Sequence, residues 1–223
     1  MTQPLVTIDS VTRQFAKAPD LAAKLANRLG AHFEPQVVHA VDSVSLDIGE
    51  SEVVGLVGES GCGKSTLGRI VAGIDNPTSG RILYRGDDVA KVTGQRARHI
   101  ALKVQMIFQD TLDSLNPRLR MGQTVREAAR FHKVVPDAEL DAHIDNVLVQ
   151  AGLDPSTKNR FAHQFSGGQR QRIGIARALA VNPELVVCDE AVASLDVSIQ
   201  AQIINLFMDL RERLGLAYLF VSH

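Results

Sequence analysis

The sequence predicts an α/β fold: a mainly parallel core sheet with a helical module set into it. Three observations carry that reading. First, Glu52-Val53-Val54-Gly55-Leu56-Val57 is an apolar run of strand length; a glycine-rich stretch from Gly58 to Gly63 follows, and then Lys64 to Ala72 with helical character. Second, the apolar run Leu185 to Cys188 is followed by a helical pattern from Val197 to Leu214 and a further strand from Ala217 to Val221. Strand, helix and strand in that order build parallel sheets, because a parallel partner needs a long crossover. Third, from about Asp110 to Gln171 strand patterns give way to helical ones.

The elements follow in order. Leu5 to Ile8 and Val37 to Ile48 are expected strands, the second with apolar alternation. Between them Ala16 to Gln36 reads as an insertion, with an amphipathic helix from Asp20 to Gly30 whose leucines pack on the domain's own surface or, as the alternative, touch a partner. Asn76 to Gly80 is a turn, and Arg81 to Tyr84 and Val104 to Phe108 are strands. In the helical module Gln123 to His132 and Ala138 to Ala151 are helices, with loops at Asn116-Pro117 and Asp154-Pro155. A helix from Gln169 to Ala180 leads back to the core. In the helix from Val197 to Leu214, Ile199, Ile203, Leu206, Leu210 and Leu214 recur at helical spacing and are expected to face the interior.

Composition excludes several classes. The chain has 223 residues, 45% hydrophobic and 22% charged, enough for one large or two small domains with a substantial core. Its net charge of −1 supplies no basic field for nucleic acid or anionic lipid. No apolar run approaches the roughly 20 residues needed to cross a bilayer, and the opening Met1-Thr2-Gln3-Pro4 lacks a signal-peptide pattern. The two cysteines, Cys62 and Cys188, are expected to be unpaired buried fillers in a reducing, cytoplasmic setting.

The chemistry concentrates at Gly58-Glu59-Ser60-Gly61-Cys62-Gly63-Lys64-Ser65-Thr66. The run meets every fixed position of G-x-x-x-x-G-K-[ST] in the required strand–loop–helix setting, which defines a P-loop NTPase fold. Glycines let the backbone wrap a phosphate closely, and several N–H groups and a helix N-terminus then face the anion. Lys64 adds a cation for the β- and γ-phosphates, and Ser65 offers a hydroxyl to Mg²⁺. A second candidate group ends the strand at Leu185: Asp189 suits holding Mg²⁺ beside Ser65, and Glu190 suits polarising a water for attack on the γ-phosphate. Two acids at a strand end also suit a solvated turn; the pairing with Lys64-Ser65 favours the catalytic reading.

A third motif, Phe165-Ser166-Gly167-Gly168-Gln169, opens a helix and by itself is a plausible cap. In this order and position it resembles the signature sequence of the ATP-binding-cassette (ABC) ATPases. Gln109 matches that family's Q-loop, Ser194-Leu195-Asp196 its D-loop and His223 its switch histidine. Phe15 sits where the family places an aromatic on adenine; core packing is the alternative reading of that ring. Val38 to Asp42, Gly58 to Arg69, Ser114 to Arg118 and Leu195 to Gln202 further resemble the ATPase subunits of dipeptide and oligopeptide importers, and the nickel and glutathione importers share these marks. The chain departs from the family at Thr111, Ala191 and Ala193-Ser194, where Pro, Pro and Ser-Ala are usual; none of these removes a group that touches phosphate or metal.

The resemblance implies a single ABC domain, with a RecA-like core over about 1–109 and 172–223, an N-terminal antiparallel β subdomain and a helical subdomain over about 110–171. It implies ATP and Mg²⁺ as cofactors, with Ser65, Gln109 and Asp189 at the metal. Glu190, Gln109 and His223 would act in catalysis. Ser166, Gly167, Gly168, Gln169 and Asp196 would complete the nucleotide site of a second ATPase subunit packed head to tail, identical or a paralogue. Transmembrane permease subunits, and through them an extracytoplasmic solute-binding protein, are the further partners, with the chain peripheral on the inner face of the membrane. Family members continue past the switch histidine, so a sequence ending at His223 is expected to be shortened. A soluble non-transport ABC ATPase, and an inactive or regulatory nucleotide-binding remnant, are the alternatives. The first lacks room for a coiled coil between Gln109 and Ser166; the second does not need the Glu190 and His223 that remain.

Overall fold

Two sheets enclose a shared interior in the computed structural model of the chain, which describes residues 3–16, 37–108, 115–193 and 195–222. The first sheet is antiparallel. It is built from β1 (Val6–Ala16), β2 (Val37–Ile48), β4 (Ser79–Tyr84) and the short β5 (Asp87–Asp88), in the order β2-β1-β4-β5. The second is parallel, with β3 (Val53–Val57), β8 (Ala217–Ser222), β7 (Leu185–Asp189) and β6 (Val104–Ile107) side by side in that order. Its register sets Val57 opposite Ser222 and Asp189 opposite Val221, so β3, β7 and β8 end together. Ligands of open parallel sheets bind at those carboxyl ends, where strand order switches and crossovers diverge.

The two faces of the parallel sheet bury different layers, as the period of two requires. Val187 and Leu219 face α1 (Lys64–Val71) and the antiparallel sheet, packing with Leu67, Ile70, Ile8 and Ile48. Val186, Cys188 and Tyr218 face the other way, toward α5 (Gly167–Leu179) and α6 (Val197–Leu214), where Phe207 meets the Tyr218 ring edge-on at 5.3 Å. The helical module, α3 (Met121–Phe131) and α4 (Leu140–Gln150), packs its apolar stripe of Met121, Val125, Ile144 and Leu148 onto α5 and is continuous with that second layer.

One ionic cluster ties the sheets at the end remote from the glycine-rich loop. Glu184, just before β7, accepts from the Tyr84 hydroxyl at 2.9 Å, from Arg85 at 2.8 Å and from Lys103 at 3.2 Å. Arg85 also reaches Glu50. Burial would raise the Glu184 carboxyl, but its three donors outweigh that and hold it below the ordinary glutamate range. Burial, with the Glu184 carboxylate second, pushes the Tyr84 hydroxyl up to about 12.

Several boundaries differ from expectation for identifiable reasons. β1 runs on to Ala16, because its pairing with β2 slips between Ile8 and Gln14 and carries the strand past the polar Asp9-Ser10. A helix, α2 (Gly94–Lys103), was not expected; only Ile100 is buried on it, so the sequence shows no apolar stripe. On α6, Ile203 and Leu210 are buried as expected, but Leu214 is exposed and Phe207 takes the central core place. Cys188 is buried, but Cys62 is exposed, contrary to expectation, because its loop turns outward toward an anion site. The insertion and its expected helix, Asp20 to Gly30, lie outside the described residues. No helix among the described residues is long and apolar enough to cross a membrane.

Candidate nucleotide site

The loop after β3 closes on itself through its own lysine. Lys64, only 7% exposed, donates to the carbonyls of Gly58 and Glu59 at 2.7 Å each, with the Cys62 sulfur at 3.8 Å. These contacts keep the ammonium at the mouth of α1. A cavity of about 380 Å³ opens there, lined by Ala40, Ser60, Gly61, Gly63, Lys64, Ser65, Thr66 and Glu190. Gly63 is obligatory in this shape. Its φ is +96°, and a Cβ on it would stand 1.8 Å from the Ala40 carbonyl oxygen of β2.

At the foot of the cavity the Ser65 hydroxyl donates to the Asp189 carboxylate at 2.8 Å. Residues 124 apart in sequence meet because β3 and β7 end at the same level on either side of β8. Glu190 follows in a left-handed backbone conformation, φ +46°, with its N–H donating to Val221 at 3.1 Å. That geometry costs a non-glycine residue about 1–3 kcal/mol and is held only where neighbours over-determine it. Here it turns the chain at the strand end and sets Glu190 on the cavity wall.

The Ser166 motif lies elsewhere. Ser166 caps α5: its hydroxyl accepts from the Gln169 N–H at 3.4 Å while the Gln169 side chain accepts from the Ser166 N–H at 3.0 Å. Ser166, Gly167 and Gln169 are exposed at the helix N-terminus. Gly168 allows α6 to pass close, since a Cβ there would stand 2.7 Å from the Ile199 side chain. Asp196 starts α6, its carbonyl accepting from Ile199 and Gln200. Neither Ser166 nor Asp196 lines the Lys64 cavity. Phe15, paired with Val38 near the end of β1, is 43% exposed and also lies off the cavity. Gln109, Thr111, Ser194 and His223 lie outside the described residues.

Sequence reasoning placed Ala40 within the Val38–Asp42 motif but gave it no part in the site; only the fold shows that β2 passes the loop. It also missed the backbone strain at Glu190, which residue identity does not encode.

A parallel sheet, a glycine-rich loop on a helix N-terminus and a serine–aspartate pair beneath it define a P-loop nucleotide-binding domain. Residues 41–193 match the ABC transporter family, and the chain belongs to that family. Over 187 residues it is 48% identical to the oligopeptide transport ATP-binding protein AppF of Bacillus subtilis, covering 83% of this chain and 57% of that one. Over 221 residues it is 42% identical to the glutathione import ATP-binding protein GsiA of Pectobacterium atrosepticum, covering 99% of this chain and 34% of that one. The chain therefore spans less than two thirds of the length of these relatives. The dimeric structure of MJ0796, a bacterial ABC transporter cassette, superposes with a TM-score of 0.80 at 27% identity, covering 98% of this chain and 88% of that one.

Proposed function

We propose that this chain is the ATP-binding and hydrolysing part of an ABC importer for peptides or a related small solute, working on the inner face of the cell membrane. The observation that carries the catalytic part is the Ser65–Asp189 hydrogen bond at the foot of a lysine-bearing phosphate cavity with Glu190 on its wall. Similarity to relatives named for oligopeptide transport and glutathione import supports the importer part.

The roles follow from chemistry. Phosphate oxygens carry full charge and are better acceptors than the carbonyls of Gly58 and Glu59, so Lys64 exchanges to them. The Gly58–Gly63 loop and the first turn of α1, with Ser65 and Thr66, supply further donors. Ser65 and Asp189 present hard oxygen ligands of the kind Mg²⁺ takes together with substrate phosphates, and Mg²⁺ would neutralise charge on the β- and γ-oxygens. Glu190 accepts a proton from the attacking water as its oxygen bonds to the γ-phosphorus; the bond to the bridging oxygen breaks and ADP leaves. Gln109 would reach the metal and the water, His223 would hydrogen-bond the γ-phosphate, and Phe15 would carry the base.

Ser166 to Gln169 lie off this cavity on an exposed helix N-terminus, which suits an anion cradle offered to a second ATPase subunit. ATP then bridges the two subunits, and hydrolysis releases them to move a permease fed by a solute-binding protein. Asp196 belongs to the same junction.

Phosphate release and light scattering test the proposal together. Glu190→Gln is expected to bind ATP, to lose turnover and to accumulate as an ATP-dependent dimer. A Glu190→Gln chain that turns over ATP at the wild-type rate overturns it.

A further inference from the structure

We infer that Arg13 is a positioning residue for the nucleotide base, acting through Phe15; the inference rests on the reading of Phe15 as the base platform. The Arg13 guanidinium lies over the Phe15 ring at 4.7 Å from its centroid. A cation at that distance is attracted by the ring's negative face, so it covers one side of the aromatic. The ring is still 43% exposed, which leaves the other side as the stacking surface.

Three further observations separate this from a chance surface contact. Arg13 Nη1 donates to the Asn76 carbonyl at 2.8 Å, in the connection that leaves α1. The guanidinium is thereby anchored to the connection that leads out of the helix holding the phosphate loop. Arg13 Nε is buried and finds no hydrogen-bond partner among the described residues, so the ring and the Asn76 carbonyl are the contacts that hold the guanidinium. Finally, the β1–β2 register slips on both sides of Arg13, between Val11 and Arg13 and again between Arg13 and Gln14. The extra residues of these slips lie on β2, while β1 runs without interruption from Arg13 to Phe15, so the period of two sets both side chains on one face of the strand. The chain Asn76–Arg13–Phe15 therefore fixes the platform relative to the phosphate loop, so that base and phosphates are gripped at a set spacing.

The test is a double-mutant cycle read with two ligands, Mg²⁺–ATP and Mg²⁺–tripolyphosphate, which shares the phosphates and lacks the base. Arg13→Ala is expected to weaken ATP by about two- to fivefold, the size of an exposed cation–π contact, and to leave tripolyphosphate affinity unchanged. In a Phe15→Ala background, itself weakened by about five- to hundredfold for ATP, Arg13→Ala is expected to cost nothing more. Unchanged tripolyphosphate binding also reports that the variant is folded. Equal weakening for both ligands, or additive effects of the two substitutions, overturns the positioning role while leaving Phe15 as the platform. Unchanged ATP affinity in Phe15→Ala alone overturns the platform reading, and the Arg13 role with it.

Discussion

Lys64 is held by two carbonyls, which on the proposed reading it exchanges for phosphate oxygens. Lys64→Ala removes a charge that follows the transferring phosphate, and turnover is expected to fall by about 100-fold or more; a steady-state phosphate-release assay reads this directly. Gly63 tests shape rather than charge. Gly63→Ala forces a Cβ into the Ala40 carbonyl at a left-handed φ, so it should both abolish ATP binding and lower stability by roughly 1–3 kcal/mol. Gly55→Ala is the matched control: nothing lies within 4 Å of a Cβ there, and affinity and melting temperature should hold. Equal behaviour of the two variants would mean that β2 does not press on the loop. The need for glycine at 63 is written in the motif; the carbonyl that imposes it belongs to a strand more than 20 residues away.

Between elements, the Glu184 cluster joins the antiparallel sheet to the root of β7, and it carries a pH signature. The Glu184 carboxyl titrates below its unfolded value, so the stability it contributes is present above the ordinary glutamate pKa and is lost as pH falls through the lowered one. Glu184→Gln should therefore cost about 1–3 kcal/mol near neutral pH, where charged hydrogen bonds to Arg85, Lys103 and Tyr84 are weakened. The difference from wild type should shrink toward zero in acid. Thermal melts across pH 3 to 8 check it, and a constant difference at every pH would place the stabilisation in packing rather than in charge. This cluster was illegible in the sequence, because its members, at 50, 84, 85, 103 and 184, have no spacing pattern. β7 itself was legible, since four consecutive buried apolar residues leave little choice of state.

For the whole molecule, the separation of the Ser166 turn from the Lys64 cavity is the feature with functional weight. Ser166→Arg is expected to leave the ATP affinity of the single chain unchanged, since the residue does not touch that cavity. In a Glu190→Gln background it should prevent the ATP-dependent dimer, because a bulky side chain then occupies the cradle proposed for a second subunit's γ-phosphate. Equilibrium titration paired with gel filtration separates the two effects. Loss of ATP affinity in the monomer would show that Ser166 completes the site within one chain.

The sequence by itself determined the motifs of this protein. Gly58 to Ser65, Asp189-Glu190 and Ser166 to Gln169 are local strings whose meaning depends on neighbours in the chain, and the strands and helices that carry them follow from apolar runs and periodicity. Tertiary structure alone decided what stands next to what. Strand order β3-β8-β7-β6 places Asp189 under Ser65, and the connection after α1 brings the Asn76 carbonyl to Arg13. Pairing of strands distant in sequence is fixed by burial of both faces and by register, quantities that belong to the packed chain and that no single segment contains.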